Sequence, residues 1–198
     1  KRQGIDHKTL IDNFDNLGPE KPLRWILYKT NQATDDHLRT MEISDISDGD
    51  SVWLEVEVSS KANVIKGGHR FFEVSSSQGT TVKCAAFEPS KTFRHVIDSL
   101  EVGDTLIICG SFKKDTINLE KIRLLELTKR FSKSANPVCD CGRRTHSSGK
   151  GMHYRCKVCG KKYDRPEMLE VTPDLEIGWY EPPASARRHL TTPISLMR

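Results

Sequence analysis

Apolar and polar residues alternate over residues 51–58, and this period of two is typical of a β-strand with one buried face. The valines and Leu54 are predicted to face a core, with Trp53 on the opposite face. Similar apolar runs, separated by glycine-containing turns, predict further strands at His69–Val74, Thr80–Phe87, Thr105–Phe112 and Thr116–Leu127. Between the third and fourth strands, residues 90–100 have helical apolar spacing, with Ser90 as the expected N-cap.

The order of these elements, three strands, a helix and two strands, is that of a five-stranded OB-fold barrel. A five-stranded antiparallel sheet with a packing helix is the alternative, but the position of the helix favours the barrel. On such a barrel, Trp53 and Phe71 would be exposed where nucleic-acid bases stack, with Lys66 and Arg70 beside them. Alternatively, the two aromatic side chains cover the barrel against a neighbouring domain.

The residues on either side of the barrel have a different pattern. Before it, Leu23–Tyr28 is bulky and largely apolar, as expected of a strand, and the polar residues 29–38 predict a turn. After it, a short basic linker from Thr128 leads to a cysteine-rich segment, Asn136–Tyr163, and then to a proline-rich tail. The predicted fold class is mainly β: an OB-fold barrel and a small cysteine-rich module, preceded by a short α/β segment.

Four of the six cysteines lie close together, as the pairs Cys139-x-Cys141 and Cys156-x-x-Cys159. Two thiol pairs separated by a hairpin-sized insert are typical of a zinc ribbon, in which four thiolates bind one Zn²⁺ tetrahedrally. Four protein ligands leave no open coordination position. The zinc is therefore expected to be structural rather than catalytic.

The short first pair leaves the ligand set open, because its turn could be strained or His146 or His153 could replace one cysteine. A disulfide is the weaker alternative, since clustered pairs in a chain without an export signal indicate a reducing compartment, here the cytoplasm. The isolated Cys84 and Cys109 fall in apolar strands and are predicted to be buried thiols of the core.

Charge is distributed unevenly along the 198 residues. Residues 129–165 contain eleven Lys or Arg and two Asp, a net charge of +9, whereas the rest of the chain carries −5. This contrast favours a polyanion partner, although a solvated charged surface is the ordinary alternative. Tyr154 and Tyr163 offer stacking surfaces among seven basic residues expected to contact nucleic acid: Arg143, Arg144, Lys150, Arg155, Lys157, Lys161 and Lys162.

Membrane insertion is not expected, because the chain has no run of about eighteen apolar residues. The first residues are polar and lack an initiator Met, so we expect a piece of a longer chain rather than an exported protein.

Six short motifs are distinctive in combination: residues 30–38, Gly67–His69, Ala85–Pro89, Asn118–Ile122, Asn136–Pro137 and Ala186–Thr191. Together they resemble the C-terminal part of the archaeal isoleucine-tRNA 2-agmatinylcytidine synthetase family, over most of residues 24–193. Two departures from the family pattern are the Cys139-x-Cys141 pair, where the family has two intervening residues, and residues 1–23, which match poorly.

The resemblance implies an ATP-dependent ligase that joins agmatine to the wobble cytidine of isoleucine tRNA with a CAU anticodon. ATP, Mg²⁺ and agmatine would bind an upstream catalytic domain, and tRNA would bind the chain itself. No glycine-rich phosphate loop occurs in these 198 residues. A non-enzymatic single-strand-binding protein with an OB-fold and a zinc ribbon is the alternative.

The same resemblance divides the chain into four parts. Residues 1–50 would form the edge of the catalytic domain, residues 51–128 the OB-fold, residues 129–165 the zinc ribbon and residues 166–198 a tail that packs on the other domains. The border with the catalytic domain would include Asn31, Gln32, Thr34, Asp35 and His37. In the tail, Arg187 and Arg188 would contact the tRNA.

Overall fold

The computed structural model describes residues 30–149 and 152–197, together with six isolated positions before residue 30. The strand predicted at Leu23–Tyr28 lies outside these continuous ranges, and so does Lys150. Among the described residues, no helix is long and apolar enough to cross a membrane. The elements are β1 (Ser51–Val58), β2 (Asn63–Val64), β3 (Arg70–Ser75), β4 (Thr81–Ala86), α1 (Phe93–Asp98), β5 (Thr105–Lys113), β6 (Thr116–Glu126), β7 (Arg130–Ala135), β8 (His146–Ser147), β9 (Tyr154–Arg155), β10 (Lys162–Tyr163), β11 (Glu167–Val171) and β12 (Gly178–Tyr180), with 3₁₀ turns at Ile43–Asp45, Glu88–Ser90 and Ile194–Leu196.

Five strands close into a barrel. β1 pairs with β5, β5 with β6, β6 with β4, β4 with β3, and β3 again with β1, so the pairing returns to its first strand. The β4–β6 pair is parallel and the other pairs of the barrel are antiparallel. Closure, with a helix between the third and fourth barrel strands, is the OB topology. The predicted fold class is confirmed.

The core of the barrel follows the alternation in the sequence. Val52, Leu54, Val56 and Val58 of β1 are at most 4% exposed and belong to one hydrophobic cluster. Helix α1 adds buried apolar side chains to the same cluster. Each fully buried large side chain contributes about 1.5–3 kcal/mol.

The two isolated cysteines also lie in the core, as predicted. Cys84 and Cys109 are fully buried, and burial raises the pKa of both thiols above the ordinary value. Protonated, buried thiols of this kind act as small hydrophobic side chains. These two cysteines are therefore separate from the clustered pairs in both position and chemistry.

Gly110 allows two barrel strands to approach closely. A Cβ at this position would overlap the carbonyl oxygen of Asn118 on β6, and the β5–β6 register shifts between Cys109 and Gly110. A side chain is excluded there, so glycine is required at this bulge.

The start of the helix differs from the prediction. Ser90 does not cap α1; its hydroxyl donates to the carbonyl of Phe87, at 2.6 Å, within the 3₁₀ turn. Lys91 then has a φ of 50°, in the left-handed region, which interrupts the helical conformation. The helix begins only at Phe93, after Thr92, whose side chain makes no cap hydrogen bond.

The predicted basic linker is wrong, because residues 130–135 form strand β7. This strand pairs antiparallel with β11, which lies in the predicted tail. The tail also supplies β12, which pairs with β6 at the edge of the barrel. Between these segments, β8, β9 and β10 form a small three-stranded antiparallel sheet.

A buried ion pair joins the barrel to β7. The carboxylate of Asp104 is fully buried and lies 2.6 Å from the guanidinium of Arg130. It also accepts hydrogen bonds from the amides of Glu101 and Thr128. Burial acts to raise the pKa of Asp104, but the hydrogen bonds from Arg130 and the two amides lower it below the ordinary value. The carboxylate therefore stabilises the fold in its ionised form.

Replacement of Asp104 by asparagine is expected to lower the free energy of unfolding by about 2 kcal/mol, the usual contribution of hydrogen bonds to a charged group. Because the folded pKa is depressed, the contribution of Asp104 is complete above the unfolded pKa and is lost as the pH falls through the folded pKa. Urea denaturation at several acidic pH values should show a smaller loss of stability on acidification in Asp104→Asn than in the wild type. Identical acid dependence would contradict this assignment.

Candidate metal centre and nucleic-acid interface

Four cysteines converge at one point in the small three-stranded module. The Sγ atoms of Cys139, Cys141, Cys156 and Cys159 all lie within 4.8 Å of one another. The Cys139–Cys159 and Cys141–Cys156 sulfur distances are 3.3 and 3.6 Å, and all six cysteines of the chain are free. Sulfurs around one tetrahedral zinc lie about 3.8 Å apart for Zn–S bonds of about 2.3 Å. The arrangement fits zinc and is too open for disulfides, whose S–S length is about 2.05 Å.

Two glycines shape the turns that carry the thiols. Gly142 and Gly160 have φ values of 77° and 76°, and their amides donate to the carbonyls of Cys139 and Cys156. Non-glycine residues adopt this conformation only with strain, so each turn favours glycine. The short Cys139-x-Cys141 pair therefore still delivers both sulfurs to the cluster. Among the described residues, the group whose ligand atoms converge consists of the four cysteines, and neither His146 nor His153 belongs to it.

The surroundings of the thiols favour ionisation unevenly. The backbone amide of Cys141 and the hydroxyl of Tyr163 lower the pKa of Cys139 to about 6. At Cys159, the amide of Lys161 acts in the same direction, but the neighbouring thiols, Cys139 first among them, raise the pKa to about 11. Four thiolates at this spacing repel one another and need a bound cation to coexist, which Zn²⁺ would supply.

An open groove of about 710 Å³ lies beside the cysteine cluster. Cys156 lines it together with the exposed cations Arg155 and Lys157 and with His146 and Gly160. The wall of this groove carries cations next to a cysteine of the metal-binding cluster. Such a groove can contact the phosphates of a polynucleotide. The structure thus brings together two of the basic residues predicted to bind nucleic acid.

The other predicted cations of the ribbon have different surroundings. Arg144 donates to the carbonyl of Asn136 and lies 3.3 Å from Glu167, and Lys161 forms an ion pair with Asp140. Arg143 and Lys162 are exposed, whereas Lys150 lies outside the described residues. Arg144 and Lys161 therefore also hold the ribbon together.

The barrel face predicted to stack bases is partly covered. The Trp53 ring lies 5.2 Å from that of Trp179, on β12, in an edge-to-face contact. Arg70 donates two hydrogen bonds to Asp98, at 2.5 and 2.9 Å, and this pairing raises its pKa. Trp53 is thus packed against β12, a strand of the chain itself.

The other two barrel residues predicted to bind nucleic acid remain more accessible. Phe71 is half-buried and lies edge-to-face with Phe87 at 6.2 Å, whereas Lys66 is exposed in the loop before β3.

The segment predicted to border a catalytic domain packs on the tail and on β6. The amide of Ala33 donates to the carbonyl of His189, and that of Asp35 to the carbonyl of Leu190. Thr34 donates its hydroxyl to the carbonyl of Asn31. Residues 31–37 thus form one unit with the C-terminal tail.

Two charged residues of β6 complete this unit and were not predicted as site residues. Lys121, fully buried, pairs with Asp35, and Glu120 Oε2 lies 2.9 Å from His37 Nε2. Glu120 also accepts a hydrogen bond from the hydroxyl of Thr191 at 2.5 Å. The charged pair Glu120–Lys121, placed between the apolar residues Leu119 and Ile122 of a predicted strand, was the available signal in the sequence.

The tail arginines also form ion pairs. Arg187 lies 2.8 Å from Glu181, and Arg188 Nη1 lies 3.5 Å from Glu120 Oε1. The side chain of Arg188 stays half-exposed, whereas that of Arg187 is largely buried. Arg188 is therefore the better placed of the two to contact a phosphate.

A closed OB-fold barrel joined to a four-cysteine ribbon with a basic surface defines the class of OB-fold and zinc-ribbon proteins. Residues 136–175 match the model of the TiaS C-terminal zinc ribbon domain. The isoleucine-tRNA 2-agmatinylcytidine synthetase TiaS of Methanocaldococcus jannaschii is 41% identical over 200 residues, which cover 98% of this chain and 47% of that protein. The TiaS of Archaeoglobus fulgidus is 42% identical over 197 residues, with 98% and 46% covered.

Solved structures give the same assignment. The complex of TiaS with its isoleucine tRNA, AMPCPP and agmatine superimposes with a TM-score of 0.72 at 37% identity, covering 97% of this chain and 44% of that one. The chain belongs to the TiaS family and spans slightly less than half the length of the relatives it matches.

Proposed function

We propose that this chain is the tRNA-binding portion of an ATP-dependent ligase that conjugates agmatine to the wobble cytidine of isoleucine tRNA with a CAU anticodon. The observation that carries the proposal is the identity of 41–42% to TiaS enzymes over 98% of the chain. The likeness to a relative solved with isoleucine tRNA, AMPCPP and agmatine supports it further. In this proposal, ATP, Mg²⁺ and agmatine bind a catalytic domain outside these 198 residues.

Within the chain, each part has a proposed role. The four cysteines hold one Zn²⁺ that keeps the ribbon folded, and the exposed cations beside it bind tRNA phosphates. Residues 51–128 form the OB-fold, residues 129–165 the ribbon and residues 166–198 a tail that packs on the other parts. Residues 1–50 form the border with the catalytic domain.

Single-strand binding without catalysis is the alternative, and the covering of Trp53 argues against it. Generic single-strand binders stack successive bases on open aromatic side chains, each contributing about 1–3 kcal/mol. Here Trp53 packs against Trp179 instead. Phosphate contacts to a folded RNA do not need that ring.

The proposal predicts that the chain prefers folded isoleucine tRNA with a CAU anticodon to an unstructured RNA of equal length at one fixed salt concentration. The double variant Arg155→Ala/Lys157→Ala should bind tRNA more weakly and lower the slope of log affinity against log salt by about two, one unit for each lost phosphate contact. Fluorescence anisotropy over a salt series measures both quantities.

Lys61→Ala is the matched control, because Lys61 is an exposed barrel cation paired with Glu101, away from the groove. Its salt slope should equal that of the wild type. Equal affinity for tRNA and for unstructured RNA would favour the single-strand-binding alternative. An unchanged slope in the double variant would remove the groove from the interface.

A further inference from the structure

A second, smaller cavity lies between β6, the turn before α1 and the tail. Its volume is about 130 Å³. Drug-sized ligands occupy about 300–1,000 Å³, so this cavity suits a single small ring system. The lining residues central to its chemistry are Phe87, Pro89, Asn118, Glu120, Pro182 and Arg188.

One carboxylate oxygen of Glu120, a residue that lines this cavity, lacks a hydrogen bond. Glu120 is 3% exposed, and its Oε2 is engaged by His37 and by the hydroxyl of Thr191. Its Oε1 is buried without a hydrogen-bond partner, and Arg188 Nη1 lies 3.5 Å away as an ion pair. A buried acceptor without a hydrogen bond is unfavourable, and a ligand that donates to it would stabilise the folded site.

The cavity walls suit a flat aromatic ligand. The Phe87 side chain is 41% exposed, and edge-to-face contacts with His69 and Phe71, at 5.2 and 6.2 Å, hold its ring. Two prolines, Pro89 and Pro182, add apolar surface without flexible side chains. At the rim, half-exposed Arg188 can reach a phosphate attached to a ligand inside.

The polar groups indicate which base fits. With Oε2 of Glu120 occupied, Oε1 is the remaining acceptor of this carboxylate, and two residues that line the same cavity, Asn118 and Arg188, carry donors. Cytosine and adenine present an amino group beside a ring nitrogen that accepts, which matches this pattern. Uracil and guanine present a carbonyl and a ring N–H instead. A free cation such as agmatine would meet the positive charge of Arg188.

We propose that this cavity binds one extruded base of the tRNA, a cytosine or adenine other than the wobble cytidine, with its amino group donating to Glu120 Oε1 and its phosphate on Arg188. This rests on the proposed function, since it assumes that the chain binds tRNA. Through this site, the tail and the barrel recognise the identity of one base. The ribbon, in contrast, contacts the phosphates of the tRNA.

The test uses the full-length enzyme that contains this chain and an isoleucine tRNA transcript probed with dimethyl sulfate, which methylates unpaired adenine N1 and cytosine N3. In the wild-type complex, one unpaired adenine or cytosine other than the wobble cytidine should be protected. Ala186→Phe fills the cavity, and should expose that base to methylation and weaken tRNA binding about tenfold, the range of one lost base-stacking contact. The matched control Ala184→Phe, at an exposed position two residues earlier, should retain the protection.

Glu120→Gln gives a second measurement that does not depend on filling the cavity. The glutamine carbonyl can still accept from Thr191 and His37, which leaves an amide N–H facing the cavity in place of an acceptor. Binding should weaken, and it should recover when the protected base is changed from cytosine to uracil or from adenine to guanine. This recovery distinguishes base recognition from a loss of folding.

The outcomes separate this proposal from the proposed function. If the wild type binds tRNA but Ala186→Phe changes neither affinity nor any methylation, the base pocket is wrong and the tRNA-binding function stands. If Ala186→Phe instead weakens agmatine binding while the tRNA footprint is unchanged, the cavity takes the amine and the proposal is overturned. If the wild-type enzyme fails to bind tRNA at all, the proposed function itself fails.

Discussion

Replacing Cys156 with serine is expected to abolish stoichiometric zinc binding and to unfold residues 136–163, while the barrel stays folded. The four sulfurs would supply all four ligands of a tetrahedral zinc ion, so the loss of one thiolate removes one quarter of the coordination. Structural zinc contributes about 10–16 kcal/mol to folding in isolated zinc-finger peptides. A module that loses such a contribution needs a hydrophobic core to remain folded.

The ribbon has almost no such core. Among its described residues, the buried side chains are Pro137, Cys139, Thr145 and Cys156, and none of them is large and apolar. Its sheet is built from three strands of two residues each. Domains this small need metals or disulfides to fold, and here the metal is the available stabiliser.

Metal analysis gives the zinc-to-protein ratio, and amide NMR spectra report the folding of the ribbon and the barrel separately. Cys84→Ala is the control, because this thiol lies in the barrel core and should leave the zinc ratio at one. Chelation of zinc from the wild type should reproduce the Cys156→Ser spectrum. A purified wild-type chain without stoichiometric zinc, or a ribbon that keeps its spectrum after chelation, would contradict the assignment.

The barrel and the cysteine cluster were predictable because their signals are local. Alternation over residues 51–58 determines which side of β1 is buried, and the two cysteine pairs lie within one short segment. The predicted fourth and fifth strands differ from β5 and β6 by one residue at their C-terminal ends. The alternation of apolar and polar side chains and the positions of turn glycines are patterns of a few neighbouring residues, so they can be recognised directly in a sequence.

The covering of the barrel could not be predicted in the same way. Trp53 has the outward position that its period requires, but whether it meets solvent depends on Trp179, 126 residues later. Likewise, the residues predicted to be a basic linker form β7 only because Glu167–Val171 pairs with them. Such contacts depend on tertiary packing. The sequence around one partner therefore does not identify the distant residues with which it pairs.

The buried pair of Lys121 and Asp35 gives the second large expected effect, since Asp35→Ala should lower the free energy of unfolding by about 3–5 kcal/mol. Lys121 is fully buried, with the Trp53 and Trp179 rings 5.9 and 5.4 Å from its ammonium group. Without Asp35, its remaining polar contacts are the carbonyl of Thr192, at 3.3 Å, and a methionine sulfur. Neither neutralises a buried cation.

A double variant separates the cost of the unpaired charge from the loss of packing. Asp35→Asn/Lys121→Met removes both charges at similar volume, and should recover much of the stability lost in Asp35→Ala, because a buried ion pair can often be replaced by apolar groups at little cost. Lys61→Ala, which breaks an exposed pair, should stay within about 0.5 kcal/mol of the wild type. Urea denaturation followed by tryptophan fluorescence measures all three variants.

The same variants test whether the pair fastens residues 31–37 and the tail to the barrel. Asp35 also accepts a hydrogen bond from the amide of Thr192 at 2.8 Å, so its loss frees the tail as well as the cation. Faster amide exchange in β12 and at Trp179 is expected in Asp35→Ala, with the interior strands of the barrel unchanged. If Asp35→Ala were no less stable than Lys61→Ala, the ion pair would not hold these segments together, and the packing of β12 on β6 would have to do so alone.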